Sequence, residues 1–152
     1  MDKNLSLRLW AILLFSIAGV FIVDQNIKTL FVEGFRYYTE CIDLILVYNK
    51  GVAFSMFDWI GEYLKYLQLF LVAGVFGYII YLKKLCYAFP AGLIIGGAVS
   101  NIYDRFIHGG VVDMVYWHCG FDFAVFNFAD VVIDIGVVWL LVLNLKPSLC
   151  KN

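Results

Sequence analysis

The sequence predicts an all-α membrane protein: four transmembrane helices, a small extracytoplasmic β-sheet and a short interfacial helix. Three observations predict it. The 152 residues are 63% hydrophobic and 15% charged, where a soluble domain carries about 25% charge. The mean hydropathy is +0.86. Four charge-poor runs approach the roughly 20 residues that cross a bilayer, separated by charged punctuation and one longer mixed region. A chain this short is expected to form a single unit over 1–152. The net charge of -1 offers no basic face, so nucleic acid is not an expected partner.

The first run, Leu9 to Val23, follows Arg8 and is free of charge. No small-x-small cleavage site comes after it, so it reads as a retained span over about 9–27 rather than a signal peptide. The mixed region 28–64 follows. Within it, Cys41 to Tyr48 is rich in Ile, Leu and Val and suits a strand. Asn49-Lys50-Gly51 suits a turn. A small sheet is therefore expected over Thr39 to Phe54. Phe54, Met56, Phe57, Trp59 and Ile60 surround Asp58 and suggest a surface helix, its apolar side among the headgroups.

Tyr66 to Leu82 has no charge and marks a second span over about 65–82. Lys83-Lys84 closes it, and the third span, about 86–104, begins at once. Pro90 falls near its start, where a helix tolerates it or kinks mildly. Gly92, Gly96, Gly97 and Ala98 make one flank small, which lets another helix come close. The fourth span covers about 123–145, with Asp130 and Asp134 inside it and Lys146-Pro147 after it.

Basic residues near the span ends set the orientation. Lys3, Arg8, Lys83, Lys84, Lys146 and Lys151 crowd short segments on one side, which is expected to be cytoplasmic with both termini. Asp24, Asn101, Asp104, Arg105, Asp113, Asn127 and Asp130 then converge on the outer face. Asp113 follows Gly109-Gly110 in the outer loop, and the chain from there is long enough to bring Asp130 back to it. Two neighbouring carboxylates cannot both ionise cheaply, so one keeps a proton and the pair offers an acid and a base together. That equipment can activate water against an amide. The plainer reading is that the acids pair with Arg105 or cap helices. Asp24 has Arg105 or Lys28 as candidate partners. Asp134 extends the polar site or pairs within the bundle.

His108 and His118, ten residues apart with no companion spacing, read as interface loop residues rather than metal ligands. No metal site and no cofactor is expected. Cys41 and Cys119 fall on the same side, and nothing in the sequence fixes their geometry for a disulfide.

These residues fall into blocks. They are Asp24-Gln25 with Lys28, Asn49-Lys50-Gly51-Val52-Ala53-Phe54-Ser55, Gly96 to Arg105, Gly110-Val111-Val112-Asp113, and Phe126-Asn127-Phe128-Ala129-Asp130. In this order and across this length, the chain resembles the bacterial signal peptidase II family. The resemblance implies a metal-free aspartic endopeptidase of the bacterial inner membrane with Asp113 and Asp130 as catalytic pair. It also implies supporting or substrate-binding roles for Asp24, Asn49, Gly51, Asn101, Asp104, Arg105, Asn127 and Ala129. The substrates it implies are prolipoproteins carrying a diacylglyceryl-modified cysteine, cut just before that cysteine. Membrane lipid is the implied surroundings, globomycin-type cyclic peptides the implied inhibitors, and a monomer the expected state. Met114 and the loop Tyr116 to Val125 depart from the family's pattern, and Asp134 is no part of it. A transporter or assembly subunit is the competing class. Transporters usually carry internal repeats with polar breaks near midplane, and this chain shows neither. The Gly-x-Gly-Asp signature of another intramembrane aspartyl protease class is also absent.

Overall fold

The computed structural model describes residues 3–51 and 63–150. The expected surface helix around Asp58, with Phe57 and Trp59, and the block from Val52 to Ser55 lie outside these residues.

Four helices long and apolar enough to span a membrane dominate the described chain: α1 Lys3–Val32, α2 Leu64–Leu82, α3 Leu85–Ile107 and α4 Phe128–Leu145. At 1.5 Å per residue α1 is about 45 Å long, more than the ~30 Å hydrocarbon thickness. Its last turns therefore extend past the expected end near residue 27. The buried residues Leu9, Leu13, Val20, Asp24, Lys28 and Phe31 recur at three-, four- and seven-residue spacing, the stripe of one helical face. That stripe is apolar at one end of the bundle and charged towards the other.

α3 is the central helix and packs against α1, α2 and α4. Its glycines serve two flanks, not the single flank expected. A Cβ on Gly96 would lie 2.9 Å from the carbonyl oxygen of Ile17 on α1. A Cβ on Gly97 would lie 2.8 Å from the carbonyl oxygen of Ala129 on α4. Close backbone approach of this kind associates helices where lipid gives no hydrophobic drive. Lys83 takes a left-handed conformation (φ 54°) and donates its N–H to the Ile79 carbonyl oxygen, so the chain reverses into α3 within two residues. Leu13, Ile79, Ala88, Ala91, Ile95 and Leu143 belong to the apolar core at that end.

The sheet differs from the expected one. β1 (Ile42–Asn49) pairs antiparallel with β2 (Val111–Trp117), a strand that follows α3. Asp113 therefore sits on a strand rather than in a loop. Val112 and Met114 are buried with Phe31 from α1 beneath the sheet. Ile42, Asp43 and Leu44 pair with Trp117, Tyr116 and Val115; Val47, Tyr48 and Asn49 pair with Asp113, Val112 and Val111. The register slips by one between Leu44 and Val47. A one-residue slip exchanges the faces, and here it puts the Asn49 side chain on the face of Asp113. A disulfide joins Cys41 and Cys119 at the far end of the sheet, with Cα atoms 4.4 Å apart. Cys86 and Cys150 lie side by side at the opposite end of the bundle, with Cα atoms 5.5 Å apart.

Candidate active site

Asp113 lies on β2 with 2% of its surface exposed. Its Oδ2 accepts from Asn49 Nδ2 at 3.0 Å, and its Oδ1 accepts from Asn127 Nδ2 at 2.7 Å. Burial pushes its pKa up to about 7, helped by the nearby Asp130 charge. The hydrogen bonds from Asn49 and Asn127 and the charge of Lys28 oppose the rise.

After β2 the chain folds back. Phe126 exchanges backbone hydrogen bonds with Val115 at 2.9 and 3.1 Å, which delivers Asn127 to the side of Asp113. Asn127 then caps α4. Its Oδ1 accepts from the Asp130 N–H at 2.9 Å, and Asp130 Oδ2 accepts from the Asn127 N–H at 3.1 Å. This reciprocal box satisfies two otherwise orphaned helix-end donors. The helix begins at Phe128, five residues after the expected start of the fourth span, because this cap and the Phe126 bridge occupy the preceding residues. Asn101 closes the ring from α3. Its Nδ2 donates to Asp130 Oδ1 at 2.9 Å, and its Oδ1 accepts from Asn127 Nδ2 at 3.2 Å. An amide carries two N–H donors. Asn127 spends one on Asp113 and one on Asn101, so the two acids are linked through two amides.

Behind this ring lies a buried charge cluster centred on Lys28, which is 2% exposed. Lys28 Nζ reaches Asp24 Oδ2 and Asp104 Oδ2, each at 2.6 Å. It donates to Asn101 Oδ1 at 2.7 Å. An ammonium has three protons, so every one is used. Asp24 Oδ1 also accepts from the Ala129 N–H at 2.9 Å, and its Oδ2 accepts from Ser100 Oγ at 2.7 Å. Asp104 accepts from Gln25 Nε2 at 2.7 Å and from the Val112 N–H at 3.1 Å. Asp24 thus anchors the first turn of α4, and Asp104 anchors β2. Of the two partners expected for Asp24, the structure pairs it with Lys28 and not with Arg105, and it adds Asp104 and Asn101 to the contacts of Lys28, which the sequence did not reveal. The signal for the Asp24–Lys28 pair was their four-residue spacing on one helical face.

Arg105 serves the Asn49–Gly51 turn instead of an acid. Its guanidinium donates to the Lys50 carbonyl oxygen at 2.9 Å and to the Gly51 carbonyl oxygen. The Gly51 N–H donates to Asn49 Oδ1 at 3.1 Å, which orients the amide that touches Asp113. The expected Asp104–Arg105 ion pair gives way to Asp104–Lys28, because consecutive helical residues do not face each other.

A cavity of about 580 Å³ opens beside the ring. Asn49, Gly51, Asn101, Arg105, Asp113 and Asp130 line it. Asp24, Asp104, Asn127 and Ala129 sit behind it, fully buried. Apolar residues of α2, α3 and α4, Val111 of β2 and the segment Phe123 to Phe126 form the rest of the wall, with Asp134 and Gln68 among them. The histidines stay outside. His108 packs against the Tyr48 ring, and His118 lies 3.4 Å from Asp43. Among the described residues no group of three or more His, Cys, Asp or Glu could hold a metal ion.

Fold and site together define a multi-pass membrane protein with a carboxylate-bearing cavity at one end of its bundle. The model of the signal peptidase II family matches residues 16–146. A lipoprotein signal peptidase of Sulfurimonas denitrificans is 73% identical over 98% of this chain and 97% of its own. One from Sulfurovum is 60% identical over 90% and 94%, and one from Helicobacter pylori is 54% identical over 80% and 79%. The chain belongs to the signal peptidase II family. Its fold matches a solved bacterial membrane enzyme with a TM-score of 0.78, at 22% identity, over 91% of this chain and 90% of the other.

Proposed function

We propose that this chain hydrolyses the peptide bond immediately before the diacylglyceryl-modified cysteine of prolipoproteins, with Asp113 and Asp130 as the catalytic pair. Family membership gives the reaction class, an aspartate-dependent removal of lipoprotein signal peptides. The observation that carries the assignment is that both carboxylates open onto one cavity while Asn127 and Asn101 link them. The raised pKa of Asp113 suits a pair that keeps one proton near neutrality.

In the proposed reaction the lipid chains stay in the bilayer and the signal segment lies in the apolar part of the cavity. An ionised carboxylate takes a proton from water as the water oxygen bonds to the carbonyl carbon. The partner carboxyl donates to the carbonyl oxygen and stabilises the tetrahedral species. The C–N bond then breaks, and the leaving cysteine nitrogen takes a proton from the pair. Excluding water from the cavity strengthens these interactions. Asn49, Gly51 and Arg105 hold the rim near Asp113, and Asp24, Asp104, Asn127 and Ala129 hold the frame. The chain acts as a monomer in the bacterial inner membrane, termini cytoplasmic and cavity near the extracytoplasmic face. Globomycin-type cyclic peptides compete for the cavity.

The test uses purified protein in detergent and a synthetic diacylglyceryl-modified prolipoprotein, with chelator present. Wild type should cut before the modified cysteine. Asp113→Asn and Asp130→Asn should each lose at least about 1,000-fold in kcat, as expected when a residue that acts in the chemical step is removed. Near-normal cleavage by either variant removes that residue from the mechanism.

A further inference from the structure

Asp134 lies one helical turn beyond Asp130 and faces the same cavity. An acid within a spanning helix is costly and points to a function. The capping box, the amide ring and the Lys28 cluster leave it out. Across the cavity, on α2, stands Gln68. Its Oε1 is buried and finds no hydrogen-bond partner among the described residues. Gln68 is the fifth residue of α2 and Asp134 the seventh of α4. At 1.5 Å per residue they sit about 6 and 9 Å from the starts of their helices, and their neighbours on the wall from α2 and α4 are Leu71, Val72, Val75, Val131 and Ile133. Gln68 Oε1 is the buried acceptor and Asp134 is exposed on the cavity wall; a groove with both along it suits a donor, because a buried acceptor left bare is unfavourable.

We propose that Asp134 and Gln68 form a specificity contact that selects signal segments carrying a hydroxyl side chain, Ser or Thr, a short distance before the scissile bond. This rests on the proposed function above. Asp134 lies about 6 Å along α4 from Asp130. That distance corresponds to about two residues of extended substrate or about four of helical substrate. A hydroxyl fits because it donates without bringing a charge into the groove, whereas a lysine would have to be desolvated.

The experiment uses the full chain in detergent and pairs of diacylglyceryl-cysteine prolipoprotein peptides. The two members of each pair differ only by Ser or Ala, at the second to fifth positions before the scissile bond. Wild type should show kcat/KM about 10-fold higher for Ser at one of these positions, the scale set by one buried polar contact. Asp134→Leu and Gln68→Leu should abolish that ratio while still cutting the Ala peptide, which reports an intact fold and dyad. Asp134→Asn, which keeps an acceptor, should retain part of the preference. Equal rates for every pair in wild type, or an unchanged ratio in both Leu variants, overturn the specificity contact alone. Failure of wild type to cut any of the peptides overturns the proposed function, and this inference with it.

Discussion

The site's chemistry is decided by a few side chains whose hydrogen-bond capacity is fully used. Asn127 is wholly buried, and each of its side-chain donors has a separate acceptor. The raised pKa of Asp113 gives the site a pH dependence. In the unfolded chain the carboxyl ionises near 3.8, and in the fold it ionises near 7. Between those values the unfolded state binds fewer protons, so stability falls as pH rises and levels off above about 7. The loss amounts to roughly 4 kcal/mol. Asp113→Asn should flatten the slope of thermal stability between pH 4 and 7. In wild type, kcat/KM should decline as pH passes 7 and the pair loses its shared proton. Activity that keeps rising to pH 9 would contradict a singly protonated dyad. Lys28 makes a sharper case. Lys28→Met would leave Asp24 and Asp104 buried without their cation, which should cost about 3–5 kcal/mol. Lys28→Arg should not restore it, since a planar guanidinium cannot replace a compact ammonium among three converging acceptors. Thermal unfolding in detergent checks both variants. Asp113, Asp130 and most of their supports were legible in the sequence because they stand in short blocks. The Asp24–Lys28 pairing was legible as one of two alternatives, but the further contacts of Lys28 with Asp104 and Asn101 were not, because they depend on how α3 packs beside α1.

Among the elements, the spans and the first strand were legible, and the pairing that makes the sheet was not. An uncharged run announces a helix through composition alone. β2 has strand-like residues, but its partner β1 lies more than sixty positions earlier in the chain, and no local pattern reveals such a pairing. The slip between Leu44 and Val47 is equally invisible, yet it brings Asn49 to Asp113. The small residues of α3 were legible as a group, but their division between α1 and α4 was not. That division carries a prediction. A methyl group on Gly97 would meet the Ala129 carbonyl oxygen at 2.8 Å and Ile133 Cγ1 at 2.8 Å. The side chain of Ile133 can turn, but the backbone oxygen can yield only if the first turn of α4 moves. That turn holds Asp130. Displacement of a reacting group by about 1 Å can cost about 100-fold in rate. Gly97→Ala should therefore lose about 10- to 100-fold in kcat while KM changes little. A normal kcat would show that α4 moves without disturbing the acids.

At the scale of the whole molecule, the two ends of the bundle differ in chemistry. One end holds the charged cluster, the cavity and the Cys41–Cys119 pair; the other holds the Cys86–Cys150 pair. A multi-pass protein places its ends in two compartments, and only an oxidising one sustains disulfides. With the proposed orientation, Cys41–Cys119 faces the oxidising side and ties β1 to the chain just past β2. Closing so long a loop stabilises by about 4 kcal/mol. Cys86 and Cys150 stand close enough to pair, with Cα atoms 5.5 Å apart, but in that orientation they face the cytoplasm, where thiols are kept reduced. Intact bacterial cells should therefore yield protein in which Cys41 and Cys119 resist an alkylating reagent until a reductant is added. Cys86 and Cys150 should react without one. Mass spectrometry of the alkylated peptides reads all four positions at once. The reverse pattern would invert the membrane orientation and put the cavity on the cytoplasmic side. There it could not meet a signal peptide whose cysteine end has crossed the membrane, so the same labelling experiment also bears on the proposed substrate.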